Sequence, residues 1–559
     1  MGELVEVRIE ERTHVVKSVL SSSYTNSSSS KMITLDILDR SGSLLSFSCS
    51  SSSSMVTPLD IVIDQQEHLV EGPILSLSYS NSSSKVTPLD VLDQQEHVEE
   101  GDSNKSSPSP QQVEAWLPIT ESRKSNLLTT LFHLISSGIG IQTLVIPYAF
   151  IKLGWYWGII SLALIYVWQL YTTWILVNLH ESSDGLSRYS RYLHLSVVAF
   201  GNKLAKMFVL FPVLYLSSGT CTIFTIIGGA TMEQLYKIIC DGSGSKCNVL
   251  TRAEWFLMFI CLAIIVALFF PNMNSLARVS LVGSIAAISY CIMIWTLSIG
   301  KGNKVNKGAP SNIPHEYTSG TTHFRDVVSA LGVIASSFRG HNLILEIQGT
   351  IPTNGEHRSK KIMWRGVTIS YAIIALCLFP IAIVGYWAYG DDEIPTIGGI
   401  LSAYTKSHQQ STSKWLLATI YLLVLIHYLS AFQLYAMPVF DNWERIYITI
   451  KNQPCPKLTR LAIKLLYGGI LYFLAVAVPF LPILGAFVGG FALPLTFSFP
   501  CFMWISIKIK KRNHSTRTLT MWFLNMVLGS FGLVLSLVVV IGALSNLVLN
   551  GMHANFFNP

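Results

Sequence analysis

Two short polar stretches interrupt long apolar runs in this sequence, and they hold the residues with the most chemical potential. One is Ser136-Ser137-Gly138-Ile139-Gly140 with Gln142 close behind; the other is Ser336-Ser337-Phe338-Arg339-Gly340-His341-Asn342. Neither has the arrangement of a catalytic centre. The chain shows no glycine loop for phosphate, no zinc-ligand spacing and no Ser, His and Asp order of a hydrolase. No enzymatic activity, metal or organic cofactor is therefore expected. What such residues do inside an apolar helix is break it. Gly138 and Gly140 weaken the helix, and Pro147 removes a further hydrogen bond. Unwound polar backbone at membrane depth is tolerated only where it is buried or lines a cavity. A break exposes a half-helix N-terminus that can hold a carboxylate and carbonyls that can receive an ammonium. The ligand with both ends is a zwitterion, so all thirteen residues are candidate substrate ligands. The alternative is that the glycines serve close helix packing.

Three titratable groups lie within or at the ends of apolar runs: His133, His427 and Glu346. A histidine titrates near neutral pH, so each is a candidate carrier of a coupling proton. For both histidines the alternative is a hydrogen-bonded packing role. Arg339 needs a partner, since an unpaired charge at this depth is costly. It pairs either with a substrate carboxylate or with an internal acid, Glu233 or Glu346. The internal pair is favoured, because an empty cavity must also be stable.

The elements that must position these residues follow from composition. Of 559 residues half are apolar and 13% are charged, against about 25% charged in a soluble protein. The net charge of +7 divides unevenly: residues 1–120 hold seven basic and seventeen acidic side chains, the remainder 32 and 15. The positive charge is scattered between apolar runs and forms no stripe, which argues against a nucleic-acid partner. Eleven runs are long enough to cross a bilayer: 127–150, 156–178, 205–230, 254–271, 277–299, 326–347, 366–389, 415–438, 461–481, 483–506 and 520–547. The expected fold class is an all-α membrane protein with a lipid bilayer as solvent. The two polar breaks fall in spans 1 and 6, five apart, as in a five-plus-five inverted repeat whose discontinuous helices form the substrate site.

Residues 1–120 form a separate tail, rich in serine, poor in aromatics and expected to be disordered. Met55–Gly72 recurs as Lys85–Gly101, with a weaker copy at Lys31–Asp39. Thr57, Thr87 and Ser107 each precede a proline, which offers a kinase or another regulatory partner a foothold. The transporter-like part is 121–559. Cys240 and Cys247 bracket a Gly/Ser loop and are a candidate disulfide, with a free pair as the alternative.

Beyond about residue 120 the chain resembles the amino acid/auxin permease family, and within it the plant lysine/histidine-transporter-like group. The resemblance rests on Ser336–Pro352 with Met363-Trp364-Arg365-Gly366, on Pro147-Tyr148-Ala149 with Leu153-Gly154-Trp155, and on Pro271-Asn272-Met273-Asn274-Ser275. It also rests on Ile426–Pro438 and on Gly485 through Pro500-Cys501. It implies a fold like the amino acid–polyamine–organocation transporters, and proton-coupled amino acid import, commonly at a plant plasma membrane. His133 and His427 fall on family positions. The sequence departs at two places. Counted from Phe132-His133 and from Pro147-Tyr148, the family's Gly-x-Gly falls on Gly140 and Gln142, and Arg339 stands where a small residue is common. Both departures bear on substrate range. Two alternatives remain: a transporter-like amino acid sensor, and a permease for another small organic anion such as an auxin-like carboxylate.

Loop charge sets orientation. Basic residues concentrate in the loops on the tail's side, among them Arg188, Arg191, Lys360, Lys361, Arg445, Lys457, Lys510 and Lys511. The positive-inside rule then puts the N-terminus in the cytoplasm and, with eleven spans, the C-terminus outside. The sequons at Asn26, Asn81 and Asn104 should accordingly carry no glycan, which electrophoretic mobility with and without glycosidase would check.

Overall fold

The structure is a computed structural model. It describes residues 5–11, 14–27, 30–38, 44–51, 109–182, 187–240, 250–305, 320–338, 340–353, 359–389, 398–408, 412–478, 481–509 and 516–549. The chain divides into two units, Met1–Lys85 and Val86–Pro559.

In the first unit β1 (Val5–Glu11), β2 (His14–Ser27), β3 (Ser30–Leu38) and β4 (Leu44–Ser51) pair antiparallel in sequence order. Val5 pairs with Leu20 and Ile9 with Val16. Where composition leads one to expect no fixed structure, this stretch has extended backbone. The Val, Ile and Thr scattered among its serines favour that conformation. The two long repeats, 55–72 and 85–101, lie outside the described residues.

The second unit is helical. A short α1 (Pro110–Trp116) precedes α2 (Leu127–Gly138) and α3 (Gln142–Leu179). Asn126 starts α2 with a reciprocal cap: its side chain accepts the Thr129 N–H at 3.0 Å, and the Thr129 hydroxyl accepts the Asn126 N–H at 2.9 Å. The chain unwinds over three residues and resumes at Gln142. Span 1 is therefore split where the glycines predict. Pro147 does not break α3; the helix runs through it. The bend comes instead at Gly154, whose φ of +74° only glycine adopts easily. Thus α3 contains both the outer half of span 1 and all of span 2.

Next come α4 (Tyr192–Phe200), α5 (Asn202–Phe208) and α6 (Leu210–Leu214), a π-helical turn at Tyr215–Gly219, and α7 (Thr220–Cys240). Then follow α8 (Arg252–Phe269), α9 (Ala277–Val305) and α10 (Gly320–Ala335). Span 6 is split too. α10 ends before Ser336, and after Gly340 a 3-10 turn at His341–Leu343 leads into α11 (Ile344–Gly349). The remaining helices are α12 (Ser359–Tyr389), α13 (Gly399–His408), α14 (Lys414–Lys451), α15 (Lys457–Ala477), α16 (Leu481–Phe497), α17 (Phe499–Ile509) and α18 (Thr516–Leu549). Nine helices among the described residues are long and apolar enough to cross a membrane. Several overrun the apolar windows: span 3 continues to Cys240, and α14 spans 38 residues. At 1.5 Å per residue that is roughly 57 Å, well beyond the ~30 Å hydrocarbon core. Hydropathy marks only the part of a helix that meets lipid.

α14 sits inside the bundle against α7 and α9, while α12 packs on α2, α3 and α9. Tyr421, Tyr428, Phe432 and Tyr435 bury one side of α14. At the periphery α18 packs on α16 and turns Phe523, Phe531, Val534, Leu537 and Ile541 outward. In water such a stripe would drive aggregation; against lipid it is an ordinary surface. The protein is thus an integral, multi-pass membrane protein. Gly154→Ala forces an L side chain into a left-handed conformation, costing about 1–2 kcal/mol. It should lower the unfolding midpoint of the detergent-purified protein, as read by intrinsic fluorescence.

Candidate functional site

The two breaks meet. A Cβ added at Gly340 would lie 3.1 Å from the Ser137 hydroxyl, so the break in span 6 rests on the end of α2. Gly340 has φ of +98°, and only glycine supplies both the turn and the close approach. Beside this contact opens a cavity between the two breaks. Gln142 enters it from span 1, and Ser336, Phe338, Gly340, His341 and Asn342 from span 6. Tyr215 of the π-helical turn, Tyr435 of α14 and Thr496 of α16 complete its polar wall. Arg339, the charge in this stretch, lies outside the described residues.

The other candidates are buried away from the cavity wall. Ser136 shares a 3.0 Å hydrogen bond with Ser430. The Ser137 and Ser337 hydroxyls donate back to the carbonyls of His133 and Val333, the usual fate of a serine within a helix. Gly138, Ile139 and Gly140 are buried and act through backbone.

Neither is that backbone left open for a ligand ammonium at three of its carbonyls. Tyr435 Oη donates to the Ser137 carbonyl at 2.9 Å. His427 Nε2 lies 2.8 Å from the Ile139 carbonyl. Gln169 Nε2 donates to the Ala335 carbonyl at 2.7 Å. The expectation of free carbonyls is corrected here, because buried acceptors freed by a break must find donors within the protein. Sequence reasoning missed Tyr435, Tyr215 and Gln169. The faint signal was Tyr435 in the polar-spotted Ile426–Pro438 run and the small residues of Ser217-Ser218-Gly219, which permit a π-helical turn.

The three proton candidates stand in different settings. His133 Nδ1 is 2.8 Å from the Ser280 hydroxyl, between α2 and α9. Glu346, on α11, accepts the Tyr192 N–H at 3.4 Å through one oxygen, and its other oxygen has no hydrogen-bond partner among the described residues. His427 is bracketed by two carbonyls, Ile139 at 2.8 Å from Nε2 and Gly283 at 3.3 Å from Nδ1. Gly283 lets α9 come this close: a Cβ there would lie 2.2 Å from the Ser430 hydroxyl. Glu233 pairs with Lys237 and Arg252. Cys240 is disulfide-bonded, and Cys247 lies outside the described residues.

Beyond the α2 and α11 ends lies an ion cluster that the sequence reading did not foresee. Arg191 reaches Asp441 at 2.7 Å with Nε and Glu114 at 2.9 Å with Nη1. Glu114 also takes Arg123 at 2.6 Å, and Asp441 accepts the Ile119 N–H at 3.1 Å. Arg460 bonds the Trp116 carbonyl at 2.9 Å and pairs with Glu444 at 2.9 Å. These bonds tie α1 and the irregular segment after it to α14 and α15. Burial pushes the Glu114 carboxyl up, but Arg191 and Arg123 outweigh it and hold the group below its ordinary range.

Residues 123–545 match the family described as transmembrane amino acid transporter protein, and the chain belongs to that family. It is 45% identical over 451 residues to lysine histidine transporter-like 8 of Arabidopsis thaliana, covering 80% of this chain and 83% of that protein. To lysine histidine transporter-like 7 of the same plant it is 43% identical over 447 residues, covering 80% and 90%. Among solved structures, the crystal structure of MhsT in complex with L-phenylalanine is similar at 14% identity and a TM-score of 0.45, covering 74% of this chain and 98% of that one.

Arg191→Ala removes the closest cation from the buried Asp441 carboxylate, a loss of about 3–5 kcal/mol, which thermal unfolding of the purified protein would register. Because its carboxyl is depressed in the folded state, Glu114 stabilises the fold above the unfolded carboxyl pKa. That contribution disappears as pH falls through the folded value. The wild-type midpoint should therefore drop on acidification below about pH 4.5, and Glu114→Gln should flatten the drop.

Proposed function

We propose that this member of the transmembrane amino acid transporter family imports amino acids with a proton, by alternating access across the plasma membrane. The N-terminus is cytoplasmic and the C-terminus external. In this reading the nine long helices and the two split spans make eleven crossings, the first ten in a five-plus-five inverted repeat. The proton gradient is the driving force and no cofactor takes part. The N-terminus of α3, with its positive dipole end, receives the substrate carboxylate.

The observation that carries the proton reading is the setting of His427. Both ring nitrogens face carbonyl oxygens, which can only accept. A neutral imidazole has one N–H, so one carbonyl faces a lone pair. A proton added to the ring supplies the second donor and satisfies both. One of those carbonyls belongs to Ile139, in the break of span 1, so proton occupancy bears directly on the conformation of the substrate site. His133 has a hydroxyl partner that suits either tautomer, and Glu346 lies further along span 6; neither has this dual match. The names of the Arabidopsis relatives favour an amino acid cargo over another organic anion.

Radiolabelled amino acid uptake in a transport-deficient cell, with a step in external pH, tests the reading. Uptake should rise on external acidification. His427→Gln should cut it at least tenfold, the loss of about one good hydrogen bond to a charged group, and flatten its pH dependence at equal surface abundance. Unchanged pH dependence in that variant would remove His427 from the mechanism, and no uptake of any amino acid at any pH would remove transport itself.

A further inference from the structure

The cavity wall offers more than the ends of a zwitterion need. Three buried polar atoms on cavity-lining residues have no hydrogen-bond partner among the described residues: Gln142 Oε1, Asn342 Nδ2 and His341 Nδ1. Asn342 and His341 are 3% and 2% exposed. Such atoms are costly to leave unpaired, and a ligand that pairs them recovers the cost.

Their donor and acceptor character can be assigned. His341 Nε2 lies 3.2 Å from the Gln169 carbonyl, which can only accept, and we take the tautomer that donates to it, with the ring proton on Nε2. Nδ1 of the neutral ring is then an acceptor. The Thr172 and Thr173 hydroxyls crowd the same nitrogen at 3.3 and 2.9 Å and hold the ring in place. A primary amide turned end for end exchanges its oxygen and nitrogen. Gln142 and Asn342 nevertheless offer both a donor and an acceptor in either orientation. Among the described lining residues there is no Asp, Glu, Lys or Arg.

We propose that the cavity selects neutral amino acids bearing a side-chain carboxamide, and that Gln142 and Asn342 read that group. The inference rests on the transport reading above. A carboxamide presents an NH₂ to the acceptors Gln142 Oε1 and His341 Nδ1 and a carbonyl to Asn342 Nδ2. A side-chain carboxylate presents acceptors alone and brings no donor to His341 Nδ1. A side-chain ammonium presents donors alone and finds no counter-charge on the described wall. An alkyl side chain leaves all three unpaired. Discrimination of this kind is steep, because a site built for hydrogen bonds is penalised when the analogue lacks them.

The test is competition against radiolabelled glutamine by asparagine, leucine, lysine and glutamate in the same uptake assay. Asparagine should compete at concentrations at least about tenfold lower than the other three, the worth of roughly one net hydrogen bond. Gln142→Met keeps length and loses the amide, so the preference for glutamine over leucine should fall about tenfold. Asn342→Asp, which replaces the donor by a charge, should lose glutamine preference and gain lysine. Equal competition by lysine or glutamate in the wild type overturns the proposal, as does unchanged preference in both variants at equal surface abundance. Should the wild type move no amino acid, transport falls and selectivity is decided by thermal stability of the purified protein. There glutamine must raise the unfolding midpoint where leucine and lysine at the same concentration do not; equal shifts overturn the selectivity.

Discussion

Everything at the centre of this protein depends on how the backbone groups freed by two broken helices are satisfied where water is scarce. A buried carbonyl without a donor costs as much as a lost hydrogen bond, and here Tyr435 and Gln169 donate to the Ser137 and Ala335 carbonyls while the His427 ring faces that of Ile139. Two of these side chains come from α14 and one from α3. The break is therefore stable only once α3 and α14 have packed around it. The site is a product of tertiary assembly, and the local weakness of Gly138 and Gly140 merely permits it.

That dependence explains what could be read in the sequence. The split in span 1 and the split in span 6 were legible, because glycine pairs and polar clusters inside apolar runs are local signals. Gln142, Ser336, His341 and Asn342 were legible for the same reason. Tyr435 was not: an aromatic residue in an apolar span looks the same whether it faces lipid, core or cavity. Ser136 and Ser137 read as ligands in the sequence because hydroxyls near a break resemble a binding site. In the structure their hydroxyls are used up within the protein, on Ser430 and on the preceding turn. The ion cluster was illegible because Arg191 and Asp441 lie 250 positions apart. In the sequence their charges count only toward orientation.

Two polar systems with different chemistry thus sit at different ends of span 6. Around His341 and Asn342 the described lining residues are neutral and partly unpaired, which suits a ligand that must both arrive and leave. Around Arg191 they are ionic and heavily shared: Arg191 serves two carboxylates, and Asp441 holds both a guanidinium and a main-chain N–H. Charges buried at this density gain conformational definition more reliably than stability. Their position joins α1 to α14, the helix that also carries His427.

Gly154 gives the bundle a mechanical property that no side chain provides. The outer half of the first crossing and the whole of the second are one covalent rod with a single-residue joint, and one residue has only two soft torsions. There is almost no slack in such a joint. If the half-helix bordering the cavity tilts, the second crossing is dragged with it like the long arm of a lever. That arm lies along α10 and α12. A displacement that begins beside Gln142 is thereby delivered to Gln169, Thr172 and Thr173, the residues that hold His341, so both broken crossings feel it in the same stroke.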